Sequence, residues 1–449
     1  MKLFQPKILS SFANYKSKDY ISDIVAGIIV AIIALPLSIA LAIASGAAPK
    51  TGLFTAIIAG FVTALLGGSK VNITGPTAAF ATIVAGIIFT EGMDGLFLAT
   101  IMAGLFLILM GVLGLGSLIR YIPHTITVGF TAGIAVTLVV GQLKDFLGLT
   151  YPAGATAIET LDKLSLVAEN ISTFNPWALI IGLLGLAILI VWPKFSKKIP
   201  GSLIAVLVGS LVVLIPVVNT NTIGSLYTIS SQLPSFHFPE ITGERILALL
   251  PSAFTIALLA GIESLLSCVV SDKMVNDKHN SNTELIALGM GNLLVGCFGG
   301  IPATGAIART AANVKNGGKS PLSGMTHAVV LLLVLMLLMP LASYIPMPII
   351  AAILFIVAYN MSEWREFVAI VKTKRRKDIL VLVVTFALTV IFDLVKAIAV
   401  GLVLDYAIVF IGQQIKKRKR KTTKIQNVEK EQEKSAIIEE KTILQEKKD

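Results

Sequence analysis

The chain has 449 residues, 55% of them hydrophobic and 14% charged, with a mean hydropathy of +0.85. So few charges exclude an ordinary soluble domain, and repeated apolar runs near the roughly 20 residues that cross a bilayer point to a helical polytopic membrane protein; a β-barrel would read as short alternating segments instead. The net charge of +11 then belongs to basic loops on one side of a membrane, not to a nucleic-acid surface.

Residues 1–20 form a polar, basic arm without the apolar core and small-residue cleavage site of a signal peptide. Segment 1 is expected over 24–44, where Pro36 removes a backbone hydrogen bond and should kink or unwind the helix near Leu35. Segment 2 covers 53–66. The run 67–77 (GGSKVNITGPT) cannot be a regular helix, and the apolar piece 78–89 behind it is too short to cross alone. Segments 4 and 5 follow at 96–115 and 126–140, then a polar stretch at 141–177, then segments 6 and 7 at 178–191 and 202–217.

After a link rich in Ser, Thr and Pro the pattern restarts. Segments 8 and 9 fall at 246–270 and 285–295. A second break runs from Gly299 to Gly305, with a short segment 10 at 306–314 behind it. Segments 11 to 14 lie near 323–339, 348–359, 379–392 and 397–411. The charged tail 413–449 reads as solvated, and its basic start, Lys416 to Lys421, suits anionic lipid.

The expected fold is therefore all-α, with 14 transmembrane segments as a 7+7 inverted repeat: an arm (1–20), a first repeat (21–218), an extracytoplasmic link (219–245), a second repeat (246–412) and a cytoplasmic tail (413–449). An odd number of segments per repeat inverts one repeat against the other. Each repeat has a short third segment behind a Gly/Pro break, and matched breaks of this kind point to a transporter's binding site.

Charge placement agrees with this count. Lys2, Lys7, Lys16, Lys18, Arg120, Lys194, Lys197, Lys198, Lys273, Lys278, Lys315, Lys319 and the cluster from Lys372 to Lys377 fall on one side, with Lys416 to Lys421. Glu91, Asp94, Glu159, Glu169, Glu240 and Glu244 fall on the other, with Lys50, Lys144, Lys163, Arg245 and Lys396 as scattered exceptions. The basic side is expected to be cytoplasmic, with both termini there, in an inner or plasma membrane.

Three charges interrupt the segments: Glu263, Arg309 and Asp405. Such charges are costly and face a cavity or a partner. Glu263 and Ser267 stand one turn apart on one helix face. With loosened backbone nearby they could hold Na⁺, or Glu263 could carry a proton, or it could simply pair with Arg309. Arg309, at the start of a short helix, adds to the positive field of two helix N-termini and suits an anion; its alternatives are a tethering salt bridge or a snorkel to the cytoplasm. Asp405 reads as reaching the cytoplasmic interface. Cys268 and Cys297 read as small buried hydrophobes. The histidines, His124, His237, His279 and His327, lack metal-ligand spacing, so neither an enzyme nor a cofactor is expected.

Five motifs in order carry a family resemblance: Ala34 to Gly46 (ALPLSIALAIASG), Thr74 to Phe80 (TGPTAAF), Gly261 to Ser267 (GIESLLS), Gly300 to Thr310 (GIPATGAIART) and Gly317 to Gly324 (GGKSPLSG). Over roughly residues 15–412 the sequence resembles the SulP anion transporters. The resemblance implies a core domain (segments 1–4 and 8–11) moving against a gate domain (5–7 and 12–14), usually within a homodimer. It implies an anion between the half-helices of segments 3 and 10, near Thr77, Ala78, Ala79, Phe80, Ala306, Ile307, Ala308 and Arg309. It also implies a coupling ion at Glu263, Ser267, Thr77, Gly305 and Ala306, with Glu where sodium-coupled bicarbonate members carry Asp, so that Na⁺ and H⁺ both stay open. Family members usually end in a STAS domain; the 37 residues after Gly412 are too few for one, which makes this a natural short form or a shortened chain. The function expected is cation-coupled, elevator-type secondary transport of a small inorganic anion, bicarbonate or sulfate first. An uncoupled anion channel or exchanger and a proton-coupled dicarboxylate transporter are the alternatives.

Overall fold

The computed structural model describes residues 4–12, 15–117, 123–152, 154–155, 157–196, 199–373, 375–391 and 400–401. The chain runs through α1 (Ile8–Ser11), α2 (Ser17–Ala44), α3 (Pro49–Leu66), β1 (Thr74–Gly75), α4 (Ala81–Val112), α5 (His124–Leu147), α6 (Thr160–Glu169), α7 (Pro176–Phe195), α8 (Gly201–Val212) and α9 (Ile223–Leu226). It continues through α10 (Gly243–Val275), α11 (Ser281–Cys297), β2 (Thr304–Gly305), α12 (Ile307–Lys315), α13 (Pro321–Leu338), α14 (Met347–Met361), α15 (Trp364–Lys372) and α16 (Arg376–Ile391). Eight of the described helices are long and apolar enough to cross a membrane.

Local chemistry sets the helix starts. Pro49, Pro176 and Pro321 open α3, α7 and α13, where a missing N–H costs nothing. The side chains of Thr242, Asn280 and Ser320 accept hydrogen bonds from the first-turn amides of α10, α11 and α13.

Several elements differ from expectation. α2 stays helical through Pro36 rather than unwinding. Segments 3 and 4 run together in α4, interrupted only at Gly92, whose φ of 71° is the left-handed conformation glycine adopts without strain. α8 ends at Val212, short of residue 217. α6, α9 and α15 form within stretches that read as polar loops, because short surface helices leave too few apolar residues for a clear period. Segment 14 apart from residues 400–401, Asp405, the tail, and Lys2, Arg120, Lys197, Lys198, Lys374 and Lys396 lie outside the described residues.

The helices pack in two groups, each drawing from both halves of the chain. In one, α4 lies against α10 and α11, and α13 against α2 and α3. In the other, α5 lies against α14 and α16, and α7 against α8 and α14. Buried apolar clusters cement the packing: Ile39, Leu53, Leu331 and Ile350 in one, Phe80, Leu96, Leu107, Ile256 and Leu288 in another. The breaks meet inside the first group, where β1 and β2 pair antiparallel, Thr74 opposite Gly305 and Gly75 opposite Thr304.

Candidate functional site

The site begins with a backbone problem. Two stretches of non-helical chain lie within apolar helices, and every buried N–H and C=O there needs a partner. The β1–β2 pair meets part of that demand, extended by the Ala306 amide donating to the Ile73 carbonyl at 2.8 Å. Side chains meet much of the rest. Asn292 donates to the Ala303 carbonyl (3.0 Å) and accepts from its amide (2.8 Å), as a neighbouring strand would. Thr55 accepts from the Ile301 amide, and Asn313 donates to the Val71 carbonyl. The amides of Gly68 and Ser69 both donate to one carboxylate oxygen of Glu284, at 2.9 and 3.1 Å.

Close approach requires glycine at the crossing. A Cβ on Gly75 would stand 2.5 Å from Arg309 Nη1, and one on Gly305 would stand 2.9 Å from Ser264 Cα. The pairing thus brings β1 against the arginine and β2 against α10. It leaves the two short helices starting from one region: residues 78–80 lead into α4, and Ala306 caps α12.

The expected site residues gather here, with distinct partners. The Thr77 hydroxyl donates to Glu263 Oε2 at 2.9 Å. Arg309 Nη2 donates to the Pro76 carbonyl at 2.6 Å, and its Nη1 is buried without a partner among the described residues. No ion pair within 4.0 Å joins Glu263 to Arg309 among the described residues, so each charge remains available. Ser267 does not share the neighbours of Glu263: its hydroxyl donates to Asn72 Oδ1 at 2.7 Å and lies 3.0 Å from that of Thr310. Ala78, Ala79, Phe80 and Ala306 are buried, whereas Thr77 and Glu263 are partly accessible and Ile307 and Ala308 are exposed. An approaching ion therefore meets the ends of both half-helices, a carboxylate and the field of a guanidinium.

Sequence reasoning missed the residues that hold this arrangement. Asn72 donates to Glu284 Oε1 (2.7 Å) and to Ser264 (3.2 Å) while accepting from Ser267 and Thr310. Glu284 is 1% exposed although it sits in the first turn of α11, a position where an acid is ordinarily solvated. Asp23 looks like the last residue of a polar arm but is fully buried. It accepts from the Tyr15 and Ser320 hydroxyls and from the Lys319 and Ser320 amides, tying α2 to the loop before α13. The only sequence signal was the need itself: a Gly-Gly-Ser turn inside a membrane demands an acceptor.

Comparison with known proteins agrees with this architecture. Residues 20–385 match the sulfate permease family. The putative sulfate transporter YvdB of Bacillus subtilis is 44% identical over 420 residues, 93% of this chain and 78% of YvdB. The bicarbonate transporter BicA of a Picosynechococcus species is 35% identical over 373 residues, 80% of this chain and 64% of BicA. The solved transmembrane domain of a cyanobacterial BicA superposes with a TM-score of 0.77 at 30% identity, over 86% of this chain and 98% of that one. Murine Solute Carrier 26 family member A9 shares the fold, with a TM-score of 0.83 at 19% identity over 91% of this chain and 71% of its own. These relatives are transporters and not enzymes, and the chain belongs to the sulfate permease, or SulP, family of membrane anion transporters.

Proposed function

We propose that the chain is a secondary active transporter of a small inorganic anion, bicarbonate or sulfate, coupled to Na⁺ or H⁺. One observation carries the reading: two short helices start beside Arg309 and Glu263 at an accessible spot bordered by Thr77, Ile307 and Ala308. Unpaired N–H groups and the partial positive charge of two helix ends attract an anion, and the guanidinium strengthens the field. An anion alone is costly to carry through a low-dielectric region. A cation at Glu263 offsets that cost. Na⁺ takes oxygen ligands, available from the Glu263 carboxylate, the Thr77 hydroxyl and the backbone of Gly305 and Ala306; a proton needs only the carboxylate. Ser267 joins a Na⁺ shell only by giving up Asn72.

Transport then requires the site to face each side in turn. The helix group α2–α4 with α10–α13 carries the whole site and is the mobile body of an elevator-type movement against α5–α8 and α14–α16. The chain works in a cell membrane as a homodimer, with its N-terminal arm on the cytoplasmic face.

The test is uptake into proteoliposomes of labelled bicarbonate, sulfate and fumarate, with and without Na⁺ and pH gradients. Saturable uptake of bicarbonate or sulfate that follows one gradient is expected. Glu263→Gln should lose the gradient-driven part at least about tenfold, an interaction change of about 1.4 kcal/mol or more, while eluting normally in size-exclusion chromatography. Conductance indifferent to both gradients would replace this reading with an anion channel.

A further inference from the structure

A narrow recess lies on the far side of the site from the N-terminal arm. α2 ends there at Ala44. Ala78 and Thr82 at the start of the half-helix form one wall, Gly141 and Gln142 of α5 the other, and Lys163 of α6 closes the top. The recess thus sits on the seam between the two helix groups. At its inner end it shares Ala78 with the half-helix start, the spot where the anion is placed above.

Three polar groups point to a ligand. Lys163 is largely buried for a lysine, yet among the described residues its ammonium has neither a hydrogen-bond partner nor a carboxylate within 4.0 Å. The acids flanking it in sequence, Glu159, Asp162 and Glu169, and Asp145 at the end of α5 make no ion pair with it among the described residues. Burial of this kind pushes an ammonium's pKa down, and a bound anion would reverse that effect. Gln142 is 4% exposed, and among the described residues its Oε1 has no partner. The two ends of a carboxamide exchange by a simple flip, so Gln142 can present N–H groups to the recess. Thr82 lines the same recess and brings a hydroxyl, a third group able to donate. Lys163 Nζ lies over Gly141, 3.9 Å from where a Cβ would stand, so the helix surface admits the ammonium without strain.

We infer that Lys163, Gln142 and Thr82 form a second, outer anion site that takes a small oxyanion on its way to or from the helix ends. The inference rests on the transport reading above. Its chemistry is that of a charged donor with two neutral ones and no competing carboxylate, which suits sulfate or bicarbonate and rejects cations. Placed on one face of the membrane only, it raises the local anion concentration on that face.

The experiment compares right-side-out with inside-out membrane vesicles, so that each face of the transporter meets labelled sulfate or bicarbonate separately. Lys163→Gln should raise the KM about tenfold or more for entry from the Lys163 face, the loss expected of one hydrogen bond to a charged group. Vmax and the KM from the opposite face should stay unchanged, and Lys163→Arg should restore the wild-type value. Added salt should raise the wild-type KM on that face more steeply than that of Lys163→Gln. Gln142→Leu, which keeps the packing volume, should show a smaller rise with the same sidedness and serves if Lys163→Gln does not fold. Wild-type vesicles without saturable uptake of either anion overturn the transport reading and the outer site with it. Saturable wild-type uptake with an unchanged KM in both variants, or with a KM raised equally from both faces, overturns the outer site alone.

Discussion

Arg309 is the least ordinary residue in the molecule. It is 4% exposed, uses Nη2 on the Pro76 carbonyl, and among the described residues leaves Nη1 without a partner and the whole group without an ion pair. A buried guanidinium in that condition is costly, and long basic side chains ordinarily avoid it by reaching for water. Here the side chain lies along the break, against Gly75, and its charge stays beside the half-helix start. The snorkelling alternative left open by the sequence therefore does not describe it. Arg309→Ala should raise the KM for anion uptake at least about tenfold, or about 1.4 kcal/mol. Arg309→Lys should fall between, because one ammonium cannot both hold Pro76 and face an ion as a planar fork does. Gly75→Ala should resemble Arg309→Ala, since its methyl would displace Nη1. Unchanged KM values in Arg309→Ala, measured beside wild type, would reduce the residue to a tie on Pro76.

The breaks show what a sequence can and cannot reveal about an element. Their existence was legible because Gly, Pro, Asn and Ser accumulate within apolar runs, and their correspondence because each follows two segments in its half. Glu263 and Arg309 were legible as charges in apolar surroundings. That the breaks pair as strands was not legible, since a two-residue ladder carries no period. Nor were their supports, because Asn72, Glu284 and Asn292 act across gaps of up to 238 residues and look like ordinary polar residues near helix ends. The same limit hid the separation of Ser267 from Glu263: helical spacing puts them on one face, but Asn72 draws the hydroxyl away. Glu284 offers the sharpest test of how a break is held. Glu284→Ala strands the amides of Gly68 and Ser69 and takes one of two acceptors from the carboxamide of Asn72, at about 1–3 kcal/mol for each buried unsatisfied group. Its thermal midpoint in detergent should drop by several degrees, with Glu284→Gln between it and wild type. Equal midpoints for Glu284→Ala and wild type would mean that the turn finds other partners.

At the scale of the whole molecule, helices from both halves interleave in each packed group, so neither half can form its group alone. One of the charge exceptions also finds its place. Arg245, basic on an otherwise acidic face, donates to Asp94 at 2.8 Å and lies 3.7 Å from Glu91, joining α10 to the Gly92 turn. On the opposite face the N-terminal arm clasps the start of the first break and the loop that leads into α11. The Lys7 amide donates to the Gly67 carbonyl at 2.9 Å and the Gln5 amide to the Thr283 hydroxyl at 3.0 Å, while Lys7 and Lys70 both reach Asp277 at 3.1 Å. Asp277 lies in the loop between α10 and α11, outside the membrane-spanning helices. Burial alone would push its carboxyl up, but the Lys278 amide and the ammonium groups of Lys7 and Lys70 bring it below the usual carboxylate range. A folded-state pKa below the unfolded one gives stabilisation that is complete above the ordinary value, about 4 for Asp, and is lost as the pH falls through the folded value. The clasp should therefore hold across the neutral range and release only in acid. Hydrogen exchange at the Lys7 amide, corrected for intrinsic rates, should show constant protection from about pH 8 to 5 and a decline below about pH 4. Asp277→Asn should show the lower protection throughout, and raised salt should move wild type towards it, because the pair is only partly shielded from solvent. Protection that already fell between pH 8 and 6, or that matched wild type in Asp277→Asn, would assign the arm's docking to its two backbone hydrogen bonds instead of to the shared carboxylate.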